Sequence, residues 1–182
     1  MGRIFDISRA CVDDGPGLRT TVFFKGCNLT CPWCHNLEGK SFDPEIAYDK
    51  NQCISCGKCE ETCPRTWSKA GFRDGCTACG KCTETCPSGA RRLVGREMTV
   101  DELVHEVSTD LDFYTGTDGG VTFSGGEPLA QPDFLFACAS RLKSNSVHLA
   151  IETSGYWPAK YVEMISKTFD LVLFDLKHVD LE

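Results

Sequence analysis

The chain has 182 residues, 13 of them cysteine, and a formal net charge of −7 at neutral pH. Because it contains no run of basic residues, this charge argues against a nucleic-acid-binding surface. No segment approaches the roughly 18 apolar residues that span a membrane, and the N-terminus lacks a secretory pattern. We therefore expect a cytoplasmic protein with no nucleic-acid or membrane partner, whose reduced cysteines bind metal rather than form disulfides.

The segments outside the main group of cysteines predict alternating strands and helices. The β-branched and aromatic content predicts strands at 20–26, 119–126, 147–155 and 169–178, and apolar periodicity predicts helices at 99–114, 131–145 and 158–169. Thr99 and Glu102 have the spacing of a capping box at the start of the first helix. Strands joined by helices predict an α/β fold with a parallel sheet of four strands.

The cysteines divide the chain into three predicted parts. Eleven of the 13 lie between Cys27 and Cys86. We predict an α/β part at 1–48, a cysteine-rich insert at 49–95, and the continuation of the α/β part at 96–182. The last predicted strand would leave an exposed sheet edge, so the chain is interpreted as truncated, or as covered there by another chain.

Two segments of the insert, CISCGKCEETCP and CTACGKCTETCP, repeat the pattern C-x2-C-x2-C-x3-C-P. This is the pattern of bacterial ferredoxins, in which the fourth cysteine binds the other [4Fe–4S] cluster. The predicted ligand sets are Cys53, Cys56, Cys59 and Cys86, and Cys76, Cys79, Cys82 and Cys63. Two zinc sites are the alternative, but zinc ribbons normally use well-separated pairs of cysteines.

The segment CNLTCPWC has only three cysteines, Cys27, Cys31 and Cys34. A [4Fe–4S] cluster held by three thiolates leaves one iron open to a substrate, as a catalytic zinc site leaves one position open. The alternative is a single zinc ion held by these cysteines and His35, because three cysteines and one histidine are a common structural zinc set.

Polar clusters follow each predicted strand, and the carboxyl ends of parallel strands meet at one edge of a sheet. Gly125 and Gly126 would let backbone groups approach a ligand, and Glu127 could accept a hydrogen bond from an ammonium group. Lys177 could pair with a carboxylate, and Asp175 could bind a cation or a hydroxyl. Taken alone, the segment Gly125–Glu127 is also explained as a turn. The pair Asp175 and Lys177 is also explained as a structural ion pair.

With Trp33 before its last cysteine, CNLTCPWC resembles the signature of radical S-adenosylmethionine (SAM) enzymes. The segments DDGPGLRTTVFFKGCNLTCPWCHN, GREMTVDELV, GGVTFSGGEPLAQP, AIETSGY and FDLKH resemble those of glycyl-radical-enzyme activating enzymes of the pyruvate formate-lyase activating type. The resemblance covers nearly the whole chain. It implies a partial (β/α) barrel, with about four of six strands present, and an inserted ferredoxin-like two-cluster domain.

The resemblance also implies a role for individual residues. Cys27, Cys31 and Cys34 would hold the catalytic cluster. The positions implied to contact SAM are Trp33, Gly125, Gly126, Glu127, Glu152, Thr153, Asp175 and Lys177. Among these, Glu152, Thr153 and Asp175 match positions that bind a monovalent cation beside SAM in relatives, although Glu152 replaces a common aspartate.

The implied reaction is the reductive cleavage of SAM to methionine and a 5′-deoxyadenosyl radical, which takes a hydrogen atom from a backbone glycine of a partner glycyl radical enzyme. The implied cofactors are one SAM-binding and two auxiliary [4Fe–4S] clusters, and the implied electron donor is a low-potential protein such as flavodoxin or ferredoxin. The auxiliary clusters would relay electrons inward, be structural, or tune the partner interface. The alternatives are another radical SAM enzyme with auxiliary clusters, such as a maturase or peptide-modifying enzyme, and a two-cluster electron carrier. Because only four of six barrel strands are predicted, we expect this chain to activate its partner poorly or not at all.

Overall fold

The computed structural model describes residues 1–65 and 75–177. The chain forms two compact units. Asp43–Arg96 make up one unit, and the residues before and after this segment make up the other. The predicted insert at 49–95 lies inside the first of these units, which also includes the six residues before it.

The secondary structure of the described residues consists of eight strands and six α-helices. The strands are β1 (Gly2–Cys11), β2 (Arg19–Phe24), β3 (Glu45–Tyr48), β4 (Arg91–Val94), β5 (Arg96–Met98), β6 (Gly120–Gly125), β7 (His148–Thr153) and β8 (Leu171–Phe174). The helices are α1 (Lys58–Glu61), α2 (Lys81–Glu84), α3 (Val100–Ser108), α4 (Leu111–Thr117), α5 (Pro132–Ser144) and α6 (Val162–Thr168).

The central sheet has six strands in the order β5-β1-β2-β6-β7-β8. Strands β2, β6, β7 and β8 pair in parallel, which confirms the four predicted strands and the α/β class. The prediction of a purely parallel four-stranded sheet is wrong, because β1 pairs antiparallel with β2 and β5 follows at the edge. Only Gly2 and Ile4 are buried in β1, so its sequence lacks the apolar pattern by which the other strands were predicted.

One face of the sheet carries the hydrophobic core. Val22 of β2, Phe123 of β6 and Ile151 of β7 are fully buried there, against apolar residues of α3, α5 and α6. Because side chains alternate along a strand, the neighbouring residues Ser124 and Glu152 lie on the opposite face. The helices therefore cover one face of the sheet, and the polar side chains of the parallel strands occupy the other.

The predicted helix at 99–114 is two helices, α3 and α4. The capping box is confirmed, since the Thr99 side chain accepts from the Glu102 amide at 3.2 Å and the Glu102 carboxylate accepts from the Thr99 amide at 2.7 Å. Between α3 and α4, the Asp110 carboxylate accepts a hydrogen bond at 2.8 Å from the Thr20 hydroxyl. This contact is with a distant part of the chain, so the local sequence pattern could not predict it.

Near the end of the chain, the predicted elements are shorter than expected. The predicted helix at 158–169 is a 3-10 turn at Ala159–Tyr161 followed by α6, and the predicted strand at 169–178 is β8. The last predicted strand residue, His178, lies outside the described residues. None of the helices within 1–65 and 75–177 has the length and apolar character needed to cross a membrane.

In the unit Asp43–Arg96, the sequence repeat becomes a structural repeat. Gly57 and Gly80 each have a left-handed backbone, with φ of 75° and 76°, and each immediately precedes a four-residue helix, α1 or α2. Each helix carries the third cysteine of its repeat, Cys59 or Cys82. A left-handed residue is most easily glycine, so both repeats make the same turn before the same short helix.

We expect Leu142→Ala to lower the free energy of unfolding by about 2–5 kcal/mol, since this side chain of α5 is fully buried in the core. The measurement is urea denaturation of the iron-free chain followed by circular dichroism. The matched control is Leu176→Ala, at a leucine that is 61% exposed, with an expected change within about 0.5 kcal/mol. Equal losses for the two variants would contradict the core described here.

Candidate active site

A cavity of about 330 Å³ lies at the carboxyl edge of the parallel strands. This volume is within the range of about 300–1,000 Å³ that is typical of small-molecule sites. The predicted site residues that line it are Cys27, Cys31, Cys34, Gly125, Gly126, Glu152, Thr153, Asp175 and Lys177. Sequence segments that are distant along the chain therefore meet at one site.

Two predicted SAM-contacting residues do not line this cavity. Trp33 is 63% exposed, and Glu127 is buried behind the cavity wall. Conversely, Phe23, Leu29 and Ser154 line the cavity and were not predicted as site residues. Ser154 belongs to the ETSG segment, whose polar character was the only signal for it in the sequence.

The cavity also contains Asp14, from the loop between β1 and β2. Its carboxylate accepts from the Thr21 hydroxyl at 2.5 Å, and its carbonyl accepts from the Thr122 hydroxyl at 2.8 Å. Both threonines are buried on the polar face of the sheet. These bonds fix the loop beneath the cavity.

The three cysteines of the CNLTCPWC segment lie on the loop that follows β2. The Leu29 amide donates to the Cys27 sulfur at 3.4 Å, and burial raises the pKa of the Cys27 thiol. The same bond, from the amide two residues later, recurs at Cys53, Cys63 and Cys76 in the other unit. Since an amide N–H stabilises negative charge on sulfur, these loops are suited to hold thiolates.

The cysteine loop is anchored to the SGGEP segment at the end of β6. The Gly26 carbonyl accepts from the Glu127 amide at 2.9 Å, and the Asn36 side chain donates to the Gly125 carbonyl at 3.2 Å. A β-carbon on Gly126 would lie only 2.3 Å from the carbonyl oxygens of Gly26 and Gly39. The glycine at 126 is therefore required by contact between backbones at the base of the site.

Glu127 joins the ends of β6 and β7. Its carboxylate is 1% exposed and accepts from the Thr153 hydroxyl at 2.8 Å, the Ser154 hydroxyl at 2.8 Å and the Ser154 amide at 3.1 Å. It also accepts from the Leu129 amide at 3.2 Å. A buried carboxylate with this many donors is fully occupied within the protein, so its position indicates that it orients the cavity wall.

The charged groups in the cavity come from β7 and from the segment after β8. Glu152 accepts a hydrogen bond from Ser124, and Asp175 forms an ion pair with Lys177. Burial acts to lower the pKa of Lys177, but the hydrogen bond and charge of Asp175 outweigh it and raise the pKa. Lys177 is therefore a cation at neutral pH, and the cavity presents both signs of charge to a ligand.

The side-chain geometry gives no support to the zinc alternatives. Within the two described ranges, no three His, Cys, Asp or Glu side chains converge as the ligands of one metal ion do. A cluster does not require this convergence, because its thiolates bind different iron atoms.

In the unit Asp43–Arg96, hydrogen bonds lower the pKa of two cysteine thiols, those of Cys53 and Cys86. A hydrogen bond from Tyr48 lowers the pKa of the Cys53 thiol, and Ser88 lies 3.7 Å from the Cys86 sulfur. The assignment of Cys86 to the same cluster as Cys53 stays a prediction from the ferredoxin pattern.

Comparisons with known proteins agree with this geometry. The family model described as "4Fe-4S single cluster domain" matches residues 13–177. The chain is 45% identical to the benzylsuccinate synthase activating enzyme of Thauera aromatica, over 97% of this chain and 57% of that protein. It is 42% identical to the trans-4-hydroxy-L-proline dehydratase activating enzyme of Clostridioides difficile, over 97% of this chain and 61% of that protein.

A third relative is the pyruvate formate-lyase 2-activating enzyme of Escherichia coli (strain K12). The identity is 40%, over 99% of this chain and 55% of that protein. The chain thus spans less than two thirds of the length of each of these three relatives.

We expect Glu127→Gln to reduce the free energy of unfolding by about 1–3 kcal/mol, because the amide offers one acceptor oxygen where the carboxylate offers two. Thermal denaturation of the iron-free chain measures the change. Glu163→Gln is the control, since Glu163 is 75% exposed and pairs only across a helix turn with Lys167. If both variants had the melting temperature of the wild type, Glu127 would not be the link between β6 and β7.

Proposed function

The chain belongs to the 4Fe-4S single cluster domain family, and we propose that it acts as a radical SAM activating enzyme for a glycyl radical enzyme. The observation that carries the proposal is a single cavity whose lining includes three cysteines, glycine backbone, carboxylates and a lysine. A donor set of three thiols fits a [4Fe–4S] cluster that keeps one iron open.

In this proposal, Cys27, Cys31 and Cys34 hold the cluster at the cavity wall. Bound there in its reduced form, the cluster would supply the electron for reductive cleavage of SAM, the chemistry that would lead to hydrogen abstraction from a glycine of the partner. The protein contributes the orientation of both reactants and the exclusion of water.

The cavity residues have separate proposed roles toward SAM. The backbone at Gly125 and Gly126 would receive the amino group, and Lys177 would pair with the carboxylate. Glu152, Thr153 and Asp175 would bind a monovalent cation beside it. These groups match a ligand that carries both an ammonium and a carboxylate.

The position of Glu127 changes its proposed role. Glu127 is occupied by Thr153 and Ser154, so we assign it to orienting the SGGEP backbone rather than to contacting SAM directly. For Trp33, which is 63% exposed and outside the lining of the described cavity, we keep the backbone contact with the adenine that the resemblance implies.

The repeated cysteine segments are proposed to bind two auxiliary [4Fe–4S] clusters, giving three clusters in the chain. Cys53, Cys56, Cys59 and Cys86 form the first set, and Cys76, Cys79, Cys82 and Cys63 form the second. Support comes from the repeated amide-to-sulfur bonds and from the matching left-handed turns at Gly57 and Gly80. These clusters would pass electrons from a low-potential donor such as flavodoxin or ferredoxin.

The proposed partner is a glycyl radical enzyme. The relatives are named as activating enzymes of benzylsuccinate synthase, trans-4-hydroxy-L-proline dehydratase and pyruvate formate-lyase. These names differ in substrate but share one class of partner. A plain two-cluster electron carrier is the weaker hypothesis, since it leaves the cavity and its three cysteines without a role.

We expect anaerobic reconstitution to load about 12 iron per chain, with a spectral change when SAM is added. Replacing Cys27, Cys31 and Cys34 by alanine should lower this to about eight and abolish the response to SAM. Cys11→Ala is the control, since Cys11 lies on β1 outside the three sets and should leave both readouts unchanged. About eight iron in the wild type, without a SAM response, would favour the electron carrier.

The proposed activity predicts a glycyl radical signal on a candidate partner incubated with SAM, reductant and the activase, recorded by electron paramagnetic resonance (EPR). The 182-residue chain is tested beside the longest reading frame that contains this sequence, since the chain spans only 55–61% of the length of the three relatives. Cys34→Ala should abolish the signal of the active form. SAM cleavage without a radical on any glycyl radical enzyme would instead favour a different radical SAM enzyme.

A further inference from the structure

The turn after β7 is organised around two hydroxyl groups that share one acceptor. The Thr153 and Ser154 hydroxyls each donate at 2.8 Å to the carboxylate of Glu127, Thr153 to one oxygen and Ser154 to the other. The backbone amides of Gly155 and Tyr156 donate to these two hydroxyl oxygens, at 3.2 Å and 3.3 Å. Since an amide N–H only donates and a carboxylate only accepts, both hydroxyl protons point toward Glu127.

Thr153 differs from Ser154 in having a further donor, the indole of Trp157. The Trp157 Nε1–H donates to the Thr153 hydroxyl oxygen at 2.8 Å. A hydroxyl oxygen has two lone pairs, so the indole and the Gly155 amide occupy both and direct the remaining bond, O–H, at Glu127. The hydroxyl then has no lone pair left for the proposed cation, so that only the backbone carbonyl of Thr153 remains for that role.

The Trp157 indole is itself held in place. Its ring packs against the hydrophobic core, and its backbone amide donates to the Gly155 carbonyl at 3.0 Å. The same turn is bonded to the cysteine loop, because the Asn28 side chain donates to the Tyr156 carbonyl at 2.6 Å. Residues 153–157 therefore connect the core to the cysteine loop and, through Glu127, to the SGGEP segment.

We propose that Trp157 is a positioning residue of the SAM site. By directing the Thr153 hydroxyl at Glu127, its indole N–H holds the SGGEP backbone in the orientation that receives the amino group of SAM. This inference rests on the proposed function, which assigns that backbone to SAM. Glu127 directly follows Gly125 and Gly126, so a carboxylate that keeps all its donors keeps these glycines in one position before the ligand binds.

The first test is a SAM titration of the anaerobically reconstituted chain and its Trp157→Phe variant, followed by the SAM-dependent change in the EPR spectrum. Phenylalanine keeps an aromatic ring against the core and removes the indole N–H. We expect the dissociation constant of SAM to rise about threefold to tenfold at unchanged iron content, because the Thr153 hydroxyl can then turn its proton away from Glu127. A purely structural role would lower stability without changing the SAM affinity of the loaded chain.

The second test is a double-mutant cycle of Trp157→Phe with Glu127→Gln, measured as the melting temperature of the reconstituted full chain, which needs no SAM. In Glu127→Gln, a side-chain NH2 group turned toward Thr153 meets a hydroxyl whose lone pairs are filled. Removing the indole N–H frees one lone pair to accept it. We therefore expect the double variant to lose about 2–4 °C less than the sum of the two single losses.

Tyr161→Phe is the matched control, because this nearby aromatic residue stacks on Phe136. It should leave the SAM affinity unchanged, and its loss of melting temperature should add to that of Glu127→Gln. Unchanged SAM affinity in a fully loaded Trp157→Phe chain, or additive losses of Trp157→Phe and Glu127→Gln, would overturn the inference. A wild-type chain without a SAM response would instead overturn the proposed function, and the melting temperatures would then decide whether the indole acts on Glu127.

Discussion

The candidate site depends on a contact between backbones that only glycine permits. The segment after β6 passes so close to Gly26 and Gly39 that a β-carbon at Gly126 would overlap their carbonyl oxygens. This approach lets the Gly126 amide donate to the Phe24 carbonyl at 2.8 Å and the Glu127 amide donate to Gly26 at 2.9 Å. The cysteine loop and the SGGEP segment are thus one hydrogen-bonded structure, in which backbone bonds and the Asn36 side chain place the thiols relative to β6.

Glu127 carries this arrangement on to β7. Its carboxylate is buried, which is costly for a charge, but four donors from Leu129, Thr153 and Ser154 compensate for the lost water. Thr153 in turn accepts from the Trp157 indole at 2.8 Å. The carboxyl ends of three neighbouring strands are therefore linked in series from β2 through β6 to β7. A ligand in the cavity meets surfaces whose separation is fixed before it binds.

The sequence predicts the parallel strands and the capping box well, since each of these has a local pattern. Apolar alternation identifies β6 and β7, whereas β1 has few buried residues and escapes the same criterion. The division of the predicted 99–114 helix into α3 and α4 also could not be predicted from local apolar periodicity, because Asp110 is held by Thr20 of β2. The orientation of Glu127 is unpredictable for a similar reason: the motif places the residue in the loop, but partners from β7 decide which way its carboxylate points.

The alternation of side chains along the parallel strands separates stability from ligand binding. Phe123 and Ile151 pack under the helices, while their neighbours Ser124 and Glu152 face the cavity. Because successive side chains point to opposite faces, a slip of one residue in the pairing of β6 with β7 would exchange these sets. A slip of β7 would bury the Glu152 carboxylate in the core, and a slip of β6 would expose the Phe123 ring in the cavity. The apolar residues thus specify the register, and the register places the polar residues, so the core determines the site even where it makes no contact with a ligand.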